Sequence, residues 1–199
     1  MSHALILCAG ASMRMGMPKA LCSLGNQTLL ARILDTLAQS GDTPCSIKPI
    51  VVVAEPHGHA ICSWLSNSRF QTIQVVWNQQ PSDGMLSSIQ QGLRALPTES
   101  IGTLLWPVDV PLVGAQTIQT LMQHTTQRWL VPTFDDRGGH PVWLPRALCA
   151  EVLSLPIGSS LRTLRQTHPP LRVAVDDPEI VLDIDTPEAL EQAALRLRR

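Results

Sequence analysis

The sequence predicts an α/β chain built on a mostly parallel sheet with helices on both faces. Three observations lead there. Short apolar runs without alternation recur through the first half, as in strands buried on both faces. Amphipathic stretches with helical spacing separate them, the alternation of a doubly wound sheet. The composition supplies a core: 44% of the 199 residues are hydrophobic and only 16% are charged, a balance that also argues against disorder. The length suits one such domain.

Taken in order, Ala4–Leu7, Ile50–Val53, Ile73–Trp77 and Thr103–Val108 read as the buried strands. Leu29, Leu30, Ile33, Leu34 and Leu37 follow 3.6-residue spacing, with Thr28 as N-cap. Ile61, Trp64 and Leu65 mark a second helix, Met85 to Leu96 a third, and Ile118, Leu121 and Met122 a fourth after the Pro111 turn. Asp42 to Pro49 reads as a polar loop rather than a domain boundary. Beyond residue 130 the pattern loosens. Leu130–Phe134, Pro141–Leu144 and Leu171–Val175 are expected as added strands, some antiparallel, with helices near Ala147–Leu155 and Ser160–Gln166. A last helix starts at Pro187, a favoured first position, and ends in Arg196-Leu197-Arg198-Arg199, which suits its dipole.

The formal net charge of −1 gives no overall attraction to nucleic acid or to an anionic membrane. The N-terminal residues lack a basic region and read as a strand rather than a leader. No apolar run has the length to cross a bilayer. Cys8, Cys22, Cys45, Cys62 and Cys149 are odd in number, scattered and without C-x-x-C pairs, which predicts reduced thiols and a cytoplasmic setting.

In parallel sheets the loops after the strands gather at one edge, where ligands bind. The first such loop runs Cys8-Ala9-Gly10-Ala11-Ser12-Met13-Arg14-Met15-Gly16-Met17-Pro18-Lys19. Gly10 and Gly16 permit close backbone approach and positive φ, so that amides converge on an anion. Arg14 and Lys19 add two cations. Two glycines alone also describe a turn in which they serve geometry only; the added cations favour a triphosphate cradle. Walker A does not fit, because Lys19 lies three residues beyond Gly16. The dinucleotide fingerprint fails for want of its glycine triplet, which leaves a nicotinamide dehydrogenase as a poor alternative.

Asp109 ends the fourth strand and faces the same edge. Magnesium takes one or two carboxylates beside phosphate oxygens and waters, so Asp109 is a candidate ligand; capping the following helix is the competing role. For Asp185, ahead of Pro187, capping is the default reading from spacing alone. His140, between Gly139 and Pro141, reads by itself as a turn residue. The remaining histidines show no ligand spacing apart from His57-Gly58-His59, a pair near a helix start that reads as exposed rather than metal-binding, and the tryptophans read as packing rather than a base-stacking stripe.

The loop Gly10-x-Ser12-x-Arg14-x-Gly16-x-Pro18-Lys19 resembles the signature of the MobA-like nucleotidyltransferases. Gly84-Met85-Leu86-Ser87-Ser88 with Gly92, Asp109-Val110-Pro111, Gly139-His140-Pro141 and Asp183-Ile184-Asp185-Thr186-Pro187-Glu188 follow in the family's order. The resemblance spans essentially the whole chain. It implies a single-domain, Rossmann-like three-layer sandwich with a mostly parallel mixed sheet, like that of the nucleotide-diphospho-sugar transferases. Residues 1–115 would form a nucleotide-binding half and 116–199 an acceptor-binding half. The implied activity is Mg2+-dependent transfer of a nucleoside monophosphate to molybdopterin or the molybdenum cofactor, with release of pyrophosphate. CTP is favoured, since the guanylyltransferase branch usually has two glycines where this chain has Ala9-Gly10.

By the same resemblance Ala9, Gly10, Ser12, Arg14, Gly16, Lys19, Asn78, Gly84 and Ser87 bind the nucleotide. Arg14, Lys19 and Asp109 are catalytic, Asp109 and Asp185 hold the metal, and His140 and Arg162 contact the acceptor. Asp183 is a partner of this group or a structural residue. A molybdenum enzyme or chaperone is an implied partner. One stretch departs: where the family carries Gly-Asp…Gly-Ala-Arg, this chain reads Ile157-Gly158-Ser159-Ser160-Leu161-Arg162 and keeps only the arginine clearly. Transfer from GTP, transfer to another phosphorylated acceptor such as a sugar phosphate, and a non-catalytic cofactor-binding chaperone are the competing functions.

Overall fold

The structure, a computed structural model, describes residues 1–12, 14–40, 47–125 and 127–197. Cys45, Arg198, Arg199 and most of the expected Asp42–Pro49 loop lie outside these residues.

Strand β1 (Ser2–Leu7) runs through the middle of the sheet. It pairs in parallel with β4 (Ile47–Val53) on one side and with β6 (Gly102–Pro107) on the other. β4 pairs in parallel with β5 (Gln74–Trp77) at one edge. On the far side of β6 lie β9 (Val142–Pro145), antiparallel, then β7 (Leu130–Phe134), then β10 (Leu171–Ala174), parallel to β7. The two-residue β8 (Arg137–Gly138) folds back on the end of β7. Outside the sheet, β2 (Ser23–Leu24) and β3 (Gln27–Thr28) form a small hairpin.

The central strands are apolar on both sides because both sides are covered. In β1, Ala4 and Ile6 enter one buried cluster while Leu5 and Leu7 enter the other. The first cluster takes Leu30, Ile33 and Leu34 from α1 (Leu29–Gln39), Ile61 and Leu65 from α2 (Gly58–Ser66), Ile118 and Leu121 from α4 (Ala115–Gln123) and Ala193 from α6 (Pro187–Arg196). The second takes Ile89 and Leu93 from α3 (Met85–Arg94) and Leu148 and Val152 from α5 (Arg146–Ser154). The result is three layers. Truncating one of these fully buried side chains, as in Ile6→Ala, costs about 2–5 kcal/mol.

Local signals set the helix boundaries. Thr28 Oγ1 accepts the Ala31 amide at 3.1 Å and Thr186 Oγ1 accepts the Ala189 amide at 3.2 Å, each cap stabilising by about 1 kcal/mol. Gly92 lets α3 lie close on the sheet, since a Cβ there would meet Leu5 Cδ1 at 2.7 Å. At the other end of α6, Arg196 pairs with Glu179 at 3.1 Å as well as facing the helix dipole.

The structure corrects two expectations. Ser160–Gln166 is not an α-helix: Leu161–Arg165 forms a 3-10 turn, whose first amides lean on Ser160 Oγ (Arg162 N, 3.3 Å). Only Leu164 of that turn is buried, so it has no apolar stripe to hold a longer helix. The strand expected at Ile73 begins at Gln74, because the Ile73 amide closes a turn onto Phe70 O at 3.0 Å.

Helices α1 and α2 cover one face and α3 the other, so the strand order reverses between β1 and β6. The loops leaving these two strands therefore diverge and open a crevice at the carboxyl edge.

Candidate functional site

That crevice is a cleft of about 450 Å3. The loop after β1 (Leu7 to Ser12, then Pro18 to Ala20) forms one wall, Pro107 to Asp109 after β6 forms the floor, and Gly84, Met85 and Ser88 of α3 form the opposite wall. Glu55 and His57, from the loop after β4, close the side.

The loop after β1 owes its shape to two left-handed residues, Ser12 (φ 49°) and Gly16 (φ 65°). Gly10 is not among them, contrary to the expectation of positive φ at both glycines; its neighbourhood is open, with no atom within 4 Å of an added Cβ. Serine seldom adopts this conformation. Here its hydroxyl accepts the Lys19 amide at 3.1 Å, which fixes where the lysine side chain leaves the backbone. The loop is also joined across the cleft, His57 Nε2 lying 3.1 Å from Ala11 O.

Lys19 is largely buried, its side chain 14% exposed, and points at two carboxylates. Its ammonium lies 2.5 Å from Asp185 Oδ1 and 3.5 Å from Asp109 Oδ2. Arg14 approaches Asp185 from outside at 3.5 Å. The hydrogen bond from Lys19 holds the Asp185 carboxyl below its ordinary value. The two acids come from segments far apart in the chain, and the Ile184 amide joins those segments by donating to Asp109 O at 2.7 Å.

Behind this group lies His140. Its amide bonds Ile180 O at 2.9 Å, and its Nδ1 is buried with no hydrogen-bond partner among the described residues. Burial holds the imidazole below its ordinary pKa against the pull of Asp109 and Asp183. Burial raises the Asp183 carboxyl, and the charge of Asp109 raises it further. Asp183, which the sequence left between two roles, thus belongs to the same polar cluster.

The other expected contacts divide. Gly84, at φ 87°, is the N-cap of α3 and lines the cleft. Asn78 is 2% exposed and donates to Ser87 Oγ (2.8 Å) and Ser88 Oγ (2.9 Å), while its Oδ1 accepts the Gln80 amide at 2.9 Å. Ser87 turns back onto Gln80 O and Gly84 O. Asn78 and Ser87 therefore build the wall, and Ser88 is the serine that faces the cleft. Arg14 and Gly16 shape its rim without lining it. Arg162 stands outside it on the exposed 3-10 turn after α5. Sequence reasoning gave Glu55 and His57 no place in this cleft, and position after the second strand of a parallel sheet was the signal available for them.

Two carboxylates converging on one cation make a hard-oxygen donor set that suits a divalent ion, and the ammonium of Lys19 stands there as a cation already. Among the described residues no group of three or more His, Cys, Asp or Glu side chains is arranged to hold a metal. An ion held by Asp109 and Asp185 would complete its shell with phosphate oxygens and waters. Also among the described residues, no helix is long and apolar enough to cross a membrane, and Cys8, Cys22, Cys62 and Cys149 are unpaired.

The model of the MobA-like NTP transferase domain matches residues 4–173. The chain belongs to this family. MobA-like proteins are nucleotidyltransferases, and this chain is an enzyme of that class. It is 24% identical over 184 residues to the molybdenum cofactor cytidylyltransferase of Escherichia coli (strain K12), covering 92% of this chain and 91% of that one. Among solved structures, Rv0371c from Mycobacterium tuberculosis H37Rv, in complex with manganese, superposes with a TM-score of 0.77 at 22% identity, over 98% of both chains. A nucleotidyl transferase from Methanothermobacter thermautotroptrophicus superposes with a TM-score of 0.80 at 20% identity, over 100% of this chain and 98% of the other. The three-layer MobA-like fold expected from the sequence is thus the fold present.

Proposed function

We propose that this MobA-like enzyme transfers CMP from CTP to a molybdopterin-type acceptor and releases pyrophosphate, with a Mg2+ ion held by Asp109 and Asp185. The carrying observation is the convergence of Asp109 and Asp185 on Lys19, with Lys19 and Asp109 lining a cleft whose wall is a glycine-containing loop. CTP over GTP rests on Ala9-Gly10 and on the similarity to the E. coli cytidylyltransferase. A divalent metal is supported by the two-carboxylate donor set and by the manganese complex of the mycobacterial relative.

In this reading the triphosphate lies along Ala9 to Ser12, with the base and ribose against Gly84, Met85 and Ser88. Asn78 and Ser87 act by holding that wall. The acceptor enters from the side of residues 116–199, past His140 and, at greater distance, Arg162. An acceptor phosphate oxygen attacks the α-phosphorus, a new P–O bond forms, and the bond to the β-phosphate oxygen breaks. The nucleophile is already ionised, so no side chain need remove a proton. The protein's work is to position the reactants in line and to stabilise charge. Lys19 and Arg14 offset the charge that builds on the phosphates and the leaving pyrophosphate. When bound, the metal supplies charge neutralisation on the phosphates. A molybdenum enzyme or chaperone would receive the product, in a cytoplasmic setting.

The test is a thermal-shift panel with CTP, GTP, ATP and NAD, each with and without Mg2+, followed by pyrophosphate release from CTP in the presence of molybdopterin. A ligand at a hundred times its Kd adds about 2.7 kcal/mol. Mg2+-dependent stabilisation by CTP with pyrophosphate release supports the proposal. A GTP preference moves the base assignment. Stabilisation without turnover points to a cofactor-binding chaperone, and a response to NAD alone to a dehydrogenase.

A further inference from the structure

We infer that Lys19 is the resident counter-ion of the metal site: without nucleotide its ammonium occupies the cation position between Asp109 and Asp185, and it leaves that position for the nucleotide phosphates. The inference rests on the reading of these two acids as metal ligands. It adds an order of events: metal binds weakly to the empty enzyme and tightly once nucleotide is present.

The geometry carries it. The Lys19 ammonium is within 2.5 Å of Asp185 Oδ1 and 3.5 Å of Asp109 Oδ2, so a divalent ion taking an oxygen from each acid would share those oxygens with a second cation. The like-charge repulsion and the loss of free lone pairs both weaken it. The lysine stem also allows the movement this requires. Its backbone is pinned by the Ser12 hydroxyl at 3.1 Å, while four methylenes let the ammonium swing. The new partners are close by, because the phosphates would lie along the same loop that carries Lys19 and lines the cleft. Arg14 cannot do the same, since among the described residues it pairs with Asp185 alone, at 3.5 Å, and its side chain is 73% exposed. Because binding couplings are reciprocal, nucleotide that draws Lys19 away must raise metal affinity by the factor by which metal raises nucleotide affinity.

The experiment titrates Mn2+ into the nucleotide-free protein and reads free Mn2+ by EPR, for wild type, Lys19→Met and Lys19→Met/Asp109→Asn. Lys19→Met keeps the length of the stem and the Ser12 contact to the backbone, and its melting curve checks the fold. The expected result is Mn2+ binding by Lys19→Met about tenfold tighter than by wild type or more, within the usual range of site couplings. Adding Asp109→Asn should abolish the gain, which places the ion. Binding by Lys19→Met no tighter than wild type overturns the inference, as does a gain that survives Asp109→Asn. The nucleotidyltransferase reading fails separately, by absence of pyrophosphate release from wild type.

Discussion

The amide of Ile184 donates to the carbonyl of Asp109 at 2.7 Å. One backbone bond thereby brings the exit of β6 against the segment ahead of α6 and aims two acids at one lysine. Because this junction uses main-chain atoms, replacing a carboxylate side chain leaves it in place. Asp109→Asn should therefore fold with a melting temperature near wild type yet lose about 10²–10³ in kcat, the scale on which a single electrostatic contact at a reacting centre is felt. Steady-state pyrophosphate release with matched melting curves checks this. An unchanged kcat would remove Asp109 from the machinery.

Ser12 holds an unfavourable conformation while its hydroxyl makes a bond to the Lys19 amide and a longer one, at 3.4 Å, to Gly10 O. Its φ of 49° is left-handed, and its hydroxyl accepts the Lys19 amide at 3.1 Å. Ser12→Ala keeps the strained backbone and removes the bond, a loss of about 1 kcal/mol. If that bond sets the departure point of the lysine, nucleotide affinity should fall several-fold, alongside the modest drop in unfolding midpoint that a loss of about 1 kcal/mol gives. Calorimetric titration with CTP measures the first and urea denaturation the second.

Asn78 sits at the end of β5, 2% exposed, with its amide group serving Ser87, Ser88 and Gln80 at once. Asn78→Ala takes a partner from the buried Ser88, the half-buried Ser87 and the amide of Gln80. The expected cost is about 1–3 kcal/mol of stability, seen as a lower urea midpoint. A higher KM for nucleotide should accompany it, because Ser88 and Gly84 lose their support. Asn78→Asp should recover only part of this, as it keeps the acceptor for Gln80 and loses the donors.

Most of the first half of the fold was legible in the sequence, and for a physical reason. β1 and β6 are buried along their whole length and β4 over Ile50–Val53, which makes their inner residues apolar, and in a parallel sheet position after a strand is already position at the ligand edge. Thr28 and Pro187 carry helix signals that depend on neighbours in the chain alone. What could not be read depends on tertiary geometry. Whether Asn78 faces a ligand or braces Ser87 and Ser88 turns on side-chain direction. The positive φ at Ser12 rather than Gly10 turns on how the loop closes over Lys19. The 3-10 turn at Leu161–Arg165 buries only Leu164, so its periodicity is thin. That Lys19 pairs with Asp109 and Asp185 is a contact across 90 and 166 residues, which no local pattern contains.

His3 is far from the cleft, at the opposite end of β1, 3% exposed, with Nδ1 lying 2.9 Å from Ser100 Oγ. Burial lowers its pKa from 6.5, and the N-terminal ammonium and Lys48 lower it further, against the pull of Glu99. A lowered folded-state pKa means that the unfolded chain takes up the proton first as pH falls. The neutral imidazole therefore contributes its full stability above pH 6.5, and this is lost as pH drops through the folded-state value. His140 shifts in the same direction. His3→Asn should flatten part of the fall in urea midpoint between pH 7.5 and pH 5.5. A variant with the wild-type slope would show that His3 does not titrate on unfolding in this range.

Gly139 packs tightly against the backbone of Ile180. A Cβ there would lie 2.3 Å from Ile180 O and 2.7 Å from its carbonyl carbon, and backbone cannot yield as a flexible side chain can. Nor can the residue move off easily, since its amide is bonded to Pro132 O at 2.9 Å and the next amide, of His140, to Ile180 O at 2.9 Å. The same turn at Ile180 leads directly into Asp183 and Asp185, so displacing it shifts the acids. Gly139→Ala should cost about 1–3 kcal/mol through overpacking and lower kcat beyond what the loss of folded protein explains. Gly138→Ala is the control: its added Cβ would meet only Val131 Cγ1, at 3.0 Å, a side chain able to give way. Activity per folded molecule should drop in the first variant and hold in the second. Equal activity in both would mean that the Gly139 contact with Ile180 does not set the position of Asp185.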